Sequence, residues 1–317
     1  MFSKSKISFL VYAVLLAFSV LIFLFQSIAD IHLLHAAPGD IVVNSLADVV
    51  ANDGQCTLRE AIIAANADTA SGSSPNECLA GSGDDTLDLT GLSGTIALGS
   101  SLPDIATGMV VQGPGAALLS VDGGGNGRIF TIISGTVILA DLTIANGYEG
   151  VDDGRGGGIF NSSPGVVQIE NSIIRDNDVK GASGGSACNS TTAPFYGGGG
   201  GIFHSGTGTL FVIDSEITGN SATGGNGGSH GYGTGGGGGG GAFGGGLFND
   251  GGTVHLINST LTNNAVTGGR GGPRGNGGST GCAGAHGGGQ YGGLGGGGRG
   301  GYSSHYNGYD GLYGGGG

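Results

Sequence analysis

A single pattern, written three times, constrains this chain more than any other feature. At residues 156–177 it reads Gly-Gly-Gly-Ile-Phe-Asn, crosses a Pro-Gly turn, and continues Val-Val-Gln-Ile-Glu-Asn-Ser-Ile-Ile-Arg-Asp-Asn. It returns from Gly199 as Gly-Gly-Gly-Ile-Phe-His followed by residues 209–220, and from Gly244 as Gly-Gly-Gly-Leu-Phe-Asn followed by 253–264. A looser version lies upstream at 135–144. A recurring unit of roughly twenty residues is the mark of a stacked architecture.

Each copy holds three short strand-like pieces: Gly-Ile-Phe or Gly-Leu-Phe, an alternating piece such as Val167-Gln168-Ile169, and Ser-x-Ile or Ser-x-Leu. The alternation has the two-residue period of a strand with one buried face. No piece is long enough to bury its apolar side alone. Stacking the copies buries those sides together and gives every backbone N–H and C=O a partner in the copy above or below. Asn171, Asp214 and Asn258 stand at the bend before the third piece, and Asn177, Asn220 and Asn264 close each unit. Asn and Asp tolerate left-handed backbone and bond locally, so columns of them suit repeated corners. The sequence therefore predicts an all-β fold in which each unit is one three-sided coil of a parallel β-helix. Upstream, 85–89, 94–98, 109–111, 118–121 and 129–132 read as strands of earlier, less regular coils.

The chain has 317 residues, of which 78 are Gly, without the three-residue period of collagen. The glycine collects after the coils, at about 178–198, at about 221–241 and from 265 onward. Coils stack in register, so such insertions are expected to leave on one side as a flexible fringe. Net charge is −13, from 23 acidic and 10 basic residues. That excludes nucleic acid as a partner, because phosphate binding needs clustered Lys and Arg. Phosphate-loop readings of the glycine tracts fail too: no Gly-Lys-Ser or Gly-Lys-Thr occurs, and no strand–loop–helix context surrounds them.

Lys4 and Lys6 precede an apolar run at 7–25, followed by small-residue sites at 27–29 and 34–36, which is the layout of a secretory signal. The run is also long enough to span a bilayer, so an uncleaved anchor is the alternative, and the only expected contact with a membrane. The expected organisation is 1–36 signal peptide or N-terminal anchor, 37–134 N-terminal cap and first coils, 135–264 regular coils with insertions, and 265–317 glycine-rich tail. Residues 309–317, Tyr-Asp-Gly-Leu-Tyr-Gly-Gly-Gly-Gly, read like the approach to another coil. The expectation is a fragment, or a last coil closed by another chain.

Within the cap, 57–66 is the one convincing helix after the signal. Thr57 and Glu60 have capping-box spacing, while Leu58, Ala61, Ile62 and Ala65 share one face. Such a helix would cover the bore and strand edges that the first coil exposes. A catalytic Arg59–Glu60 pair is the competing reading, but no nucleophile or metal ligand lies nearby. Cys56-Thr57-Leu58-Arg59-Glu60-Ala61 resembles the Cys-Ser-Leu-Arg-Glu-Ala (CSLREA) motif that names a family of bacterial secreted and surface proteins, with Thr in place of Ser. The likeness continues through Asn66, Cys78, 81–87 and 113–116. The units after Gly135 resemble the right-handed parallel β-helix repeats of that family, and loosely the Gly-Gly-Ala-Ile repeats of chlamydial polymorphic outer-membrane proteins. The resemblance implies an extracellular, right-handed β-helix (solenoid) and no shared enzymatic activity.

Four cysteines suit an oxidising compartment. Cys56–Cys78 is the preferred bridge, stapling the helix to the loop before the first coil. Cys188 and Cys282 form the second candidate pair. Residues 81–87, Gly-Ser-Gly-Asp-Asp-Thr-Leu, echo a calcium-binding nonapeptide, but that site needs neighbouring copies and the chain has one. His204, His230, His286 and His305 lack metal-ligand spacing, and His204 stands where other copies have Asn161 and Asn249.

Because some parallel β-helices cleave polysaccharides, a lyase or hydrolase is the alternative function. It would need carboxylates, or calcium ligands with a basic residue, converging in one groove. Asp141 and Asp214 share a register, but Asn171 separates them and Asn258 follows, a pattern that also fits a column of bends. Glu149, Asp152, Asp153 and Arg155 read as a solvated acidic turn. An ice-binding face is broken where Val166 interrupts Thr136, Thr209 and Thr253, and where Ile173 and Glu216 interrupt Thr143 and Thr260. The sequence thus assigns no catalytic, cofactor-binding or metal residue. It points to a secreted or cell-surface structural or adhesive module, whose partner would be an extracellular polysaccharide or cell-surface ligand.

Overall fold

The computed structural model describes residues 40–73, 77–150, 154–183, 196–228, 239–272 and 313–314. The expected export segment, Asp152, Asp153, Cys188, His230, Cys282, His286 and His305 lie outside them. Within them the regular structure is almost entirely β, arranged in parallel sheets, with one α-helix.

Successive repeats contribute strands to the same sheets in chain order. The seven-stranded sheet takes Asp40–Val42, Asp85–Asp88, Met109–Gln112, Val137–Ala140, Val166–Glu170, Thr209–Ile213 and Thr253–Ile257. The six-stranded sheet takes Gly94–Ala97, Leu119–Asp122, Thr143–Ala145, Ile173–Arg175, Glu216–Thr218 and Thr260–Thr262. A four-stranded sheet takes Phe130–Ile132, Ile159–Asn161, Ile202–His204 and Leu247–Asn249. Ile159 pairs with Ile202 and Ile202 with Leu247, so the first apolar residue of each repeat stands on that of the last. Val167, Leu210 and Val254 form a second column, and Ile174, Ile217 and Leu261 a third. These columns join one core that also holds Ile41, Leu87 and Val111. Fully burying each such side chain contributes about 1.5–3 kcal/mol, which strands of three to five residues could not secure alone.

The structure corrects the three-strand unit: each regular repeat has a fourth strand where the insertion was expected to begin. Asp178–Lys180, Ser221–Thr223 and Ala265–Thr267 pair in parallel beside Tyr148–Glu149, and Tyr313–Gly314 adds an antiparallel strand at the far edge. Val179, Ala222 and Val266 turn inward and, with Ala242, form a small core of their own. Gly197–Gly198 pairs with Ala242–Phe243, so the insertions are ordered at their roots rather than a loose fringe from the first residue.

The bends follow the expected chemistry at one corner and shift by a residue at the other. Asp141, Asn171, Asp214 and Asn258 are left-handed, with φ of 58°, 45°, 48° and 47°. At the closing corner the left-handed residues are Asn146, Asp176, Gly219 and Asn263, one place before the expected asparagines. Asn177, Asn220 and Asn264 instead form a ladder. The Asn220 Oδ1 accepts from the Asn177 N–H at 3.0 Å and its Nδ2 at 2.9 Å, and the Asn264 Oδ1 does the same for Asn220. Each Nδ2 also reaches a carbonyl of the preceding repeat: Ile144, Ile174 and Ile217 in turn. A parallel ladder of serines runs beside it. The Ser172 N–H donates to the Ser215 Oγ, and the Ser215 N–H to the Ser259 Oγ, both at 3.1 Å, across 43 and 44 residues of chain.

The glycine triplet is explained by this geometry. Gly199 is left-handed at φ 64°. At Gly200 a methyl group would lie 2.2 Å from the Ser221 carbonyl oxygen and 2.4 Å from that of Gly245. At Gly201 it would press on the Asn220 amide at 3.0 Å. The triplet thus lets one sheet approach the backbone of the fourth strand and the asparagine ladder together.

The helix, Leu58–Ala67, begins with the expected capping box at Thr57 and Glu60. Leu58, Ala61, Ile62 and Ala65 are fully buried in the common core, and Cys56 is bonded to Cys78. Arg59 grips both Asp48 oxygens, at 2.7 and 2.9 Å, and the Ser100 and Ser101 carbonyls. Glu60 caps the Thr57 N–H. Both members of the competing catalytic pair are therefore engaged in holding the helix in place.

The ladder makes a graded prediction. Asn220→Ala leaves several buried groups without partners and should lower unfolding free energy by about 3 kcal/mol or more. Thr218→Ala removes only an exposed hydroxyl contact to Thr262 and should cost less than about 1 kcal/mol. Denaturant melts of the two variants check the difference.

Candidate functional surface

The outward side of the four-stranded sheet carries an aromatic column. Phe160, Phe203 and Phe248 follow one another in register, with ring centroids 5.8 and 5.3 Å apart. Phe243, at an insertion root, stacks 5.4 Å from Phe248, and Tyr196 meets Phe243 edge-on at 5.7 Å. Two guanidinium groups join the rings: Arg128 lies 4.8 Å from the Phe160 centroid, and Arg155 lies 5.4 Å from Phe203 and 5.9 Å from Tyr196. Arg128 is oriented by donating from Nε to the Gly156 carbonyl at 2.9 Å and from Nη2 to the Arg155 carbonyl at 2.6 Å.

Glu149 belongs to this group as well. Its Oε2 lies 3.7 Å from Arg128 Nη2, and the two side chains are only 12% and 13% exposed. The expectation of a solvated turn is thus corrected for Glu149, which is nearly buried beside Arg128, and for Arg155, which lies over the Phe203 and Tyr196 rings and is only partly exposed. Arg128 and the phenylalanines were not singled out from the sequence. The available signal was the Phe recurring after each Gly-Gly-Gly-Ile or Gly-Gly-Gly-Leu. Phe203, at the centre of the column, is fully buried, whereas Phe160, Phe248, Phe243 and Tyr196 are partly exposed. Such partly exposed rings beside guanidinium groups offer flat apolar faces with cationic edges.

The two aspartates considered for catalysis sit in the bends. The Asp141 Oδ2 accepts from the Gln112 Nε2 at 2.8 Å, and the Asp214 Oδ1 accepts from the Asn258 Nδ2. Each is tied to an amide of an adjoining repeat, with Asn171 in the same column between them. The threonine columns are interrupted as read: Thr209 stands between Val166 and Thr253, and Ile173 and Glu216 stand between Thr143 and Thr260. In the loop that echoes a calcium site, Gly83 donates its N–H to the Asp68 Oδ1 at 3.0 Å and Ser82 donates to the Asp85 Oδ1 at 2.7 Å. Asp85 is buried, and that burial raises its pKa; the Ser82 N–H works against the rise, while Asp68 and Asp84 add to it. Among the described residues no three His, Cys, Asp or Glu side chains gather to hold a metal ion.

His204 is fully buried in the column between Asn161 and Asn249. Its Nδ1 lies 3.0 Å from the Asn161 Nδ2, so with the amide donating the ring carries its proton on Nε2. Burial holds its pKa below the ordinary 6.5, against weaker opposing contacts from the Gly208 and Asn161 backbone.

The sign of the consequence follows from linkage. Below about pH 6.5 the unfolded chain protonates this histidine while the native chain resists, so the unfolded state binds more protons and stability falls as pH falls. His204→Asn, the residue type found in the neighbouring repeats, should flatten that part of the curve. Melting temperatures of both proteins from about pH 8 to about pH 5 check it, with the difference growing toward the acid side. Comparison of the sequence with protein-family models, with curated proteins and with solved structures finds no match.

Proposed function

We propose that this chain is a secreted or cell-surface structural module with an adhesive lateral face. In this reading the parallel sheets wind as a right-handed β-helix, the solenoid that CSLREA-type proteins are expected to form. The register of the repeats carries the reading, because it turns one short sequence pattern into continuous columns along the molecule. A helix packed into the core beside the earliest strands and a Cys56–Cys78 bridge suit an exported protein that must resist fraying at that end. The ligand would be an extracellular polysaccharide or cell-surface glycan, held by the partly exposed rings of Phe160 and Phe248 with Arg128 and Arg155 beside them, over the buried Phe203. Extended repeat surfaces suit long ligands of this kind.

A glycan array carrying neutral and acidic polysaccharides tests the reading directly. Binding is expected without turnover, and Arg155→Ala should weaken it about tenfold while leaving Asn220-dependent stability in place. Cleavage of a polyuronide, lost on Asp141→Ala or Asp214→Ala, would replace this reading with a lyase or hydrolase.

A further inference from the structure

The glycine-rich tracts carry the stacking beyond the fourth strands. Gly181 donates its N–H to the Thr223 carbonyl and Gly224 to the Thr267 carbonyl, both at 2.8 Å, so the parallel ladder runs past the last strand residue of each repeat. One residue further the backbones touch. A methyl group at Gly225 would overlap the Ala182 carbonyl oxygen, and one at Gly269 would overlap that of Gly225. Each contact spans one repeat, as do the strand pairs Val179–Ala222 and Ala222–Val266. Beyond them the Arg270 N–H donates to the Asn226 Oδ1 at 3.0 Å and the Gly227 N–H to the Arg270 carbonyl at 2.7 Å. A methyl group at Gly272 would again overlap a carbonyl oxygen one repeat back, that of Gly228.

A returning arm fits between two outgoing ones. The Gly240 N–H donates to the Gly225 carbonyl at 2.7 Å, and the Gly269 N–H donates to the Gly240 carbonyl at 2.9 Å. Methyl groups at Gly224 and Gly239 would overlap the carbonyl oxygens of Gly240 and Gly269. Residues 224–228, 239–241 and 268–272 are thus three stretches of backbone packed on one another, drawn from two successive repeats. Asn226 and Arg270 are their only residues other than glycine.

These stretches bury backbone but no apolar side chain. Glycine gives up more conformational freedom on ordering than any other residue. Backbone hydrogen bonds and close Cα–H···O contacts are all that offsets the loss, so the stretches cannot select a register by themselves. The strands Ser221–Thr223 and Ala265–Thr267 supply it, fixed through Ala222 and Val266 in their small core. We infer that the glycine tracts form a second layer on the strand stack, which closes only after the strands have set the register and opens without them. The layer is a local unfolding unit built into the side of the molecule. It stands independently of whatever ligand the lateral face takes.

Hydrogen exchange of the full chain across a denaturant series tests this. The Gly227, Gly240 and Gly269 amides should be protected, yet exchange faster than those of Ile173–Arg175 and Glu216–Thr218. Their rates should climb gently with denaturant, because a small opening exposes little surface, and join the strand rates only where the stack itself opens. Gly225→Ala should speed exchange at the three glycine amides at least about tenfold, as expected for displaced backbone that loses a hydrogen bond, and leave the strand amides unchanged. Gly91→Ala, where a methyl group meets nothing within 4 Å, should alter neither set. Unprotected glycine amides in the unaltered chain would remove the layer, and a Gly225→Ala variant with unchanged exchange would remove its close packing. Rates shared with the strands at every denaturant concentration, or strands that loosen equally in Gly225→Ala, would make layer and stack one unit and overturn the inference.

Discussion

Hydrogen bonding between strands far apart in sequence is what the rest of this structure depends on. A strand of three residues has too little apolar surface to persist alone and leaves its backbone groups unmet. Here each strand is completed only by its counterparts in the repeats before and after. Register matters for the same reason: a slip of one residue would send Val167, Ile169 and Ile174 to the opposite face of their sheets and bring Arg175 into the core. The asparagine and serine ladders oppose such a slip, because their side chains meet backbone donors at only one offset. The glycine triplet opposes it as well, by leaving room for the neighbouring backbone only at matching positions.

Features that rest on local or periodic chemistry were legible in the sequence. The capping box at Thr57 and Glu60, the buried face of the helix, the Cys56–Cys78 bridge and the column of Ile159, Ile202 and Leu247 all appear where the residues placed them. The fourth strand was harder to read. Val179, Ala222 and Val266 supply one inward apolar residue each, followed by glycine, so no alternation is long enough to register as a strand. The closing corner shifted by one residue because Asn serves two purposes: it tolerates left-handed backbone, and its amide can also both donate and accept within a ladder. Asn177 and Asn220 use the second property, leaving the left-handed position to Asp176 and Gly219.

The lateral face was only partly legible. Glu149 and Arg155 drew attention as charges, yet what defines their surroundings is an aromatic column assembled from residues one repeat apart. Repetition thus adds identical positions into stripes such as Phe160, Phe203 and Phe248.

The most direct test of this account is a distance measurement across the repeat. Nitroxide labels at Ile173 and Glu216, which pair in the six-stranded sheet, should sit on strands about 5 Å apart and show strong spin–spin broadening. Labels at Ile173 and Asp178, close in sequence but on different sheets, should broaden each other less. Sharp, non-interacting spectra from the 173/216 pair would mean that the repeats do not stand on one another, and the account would fail.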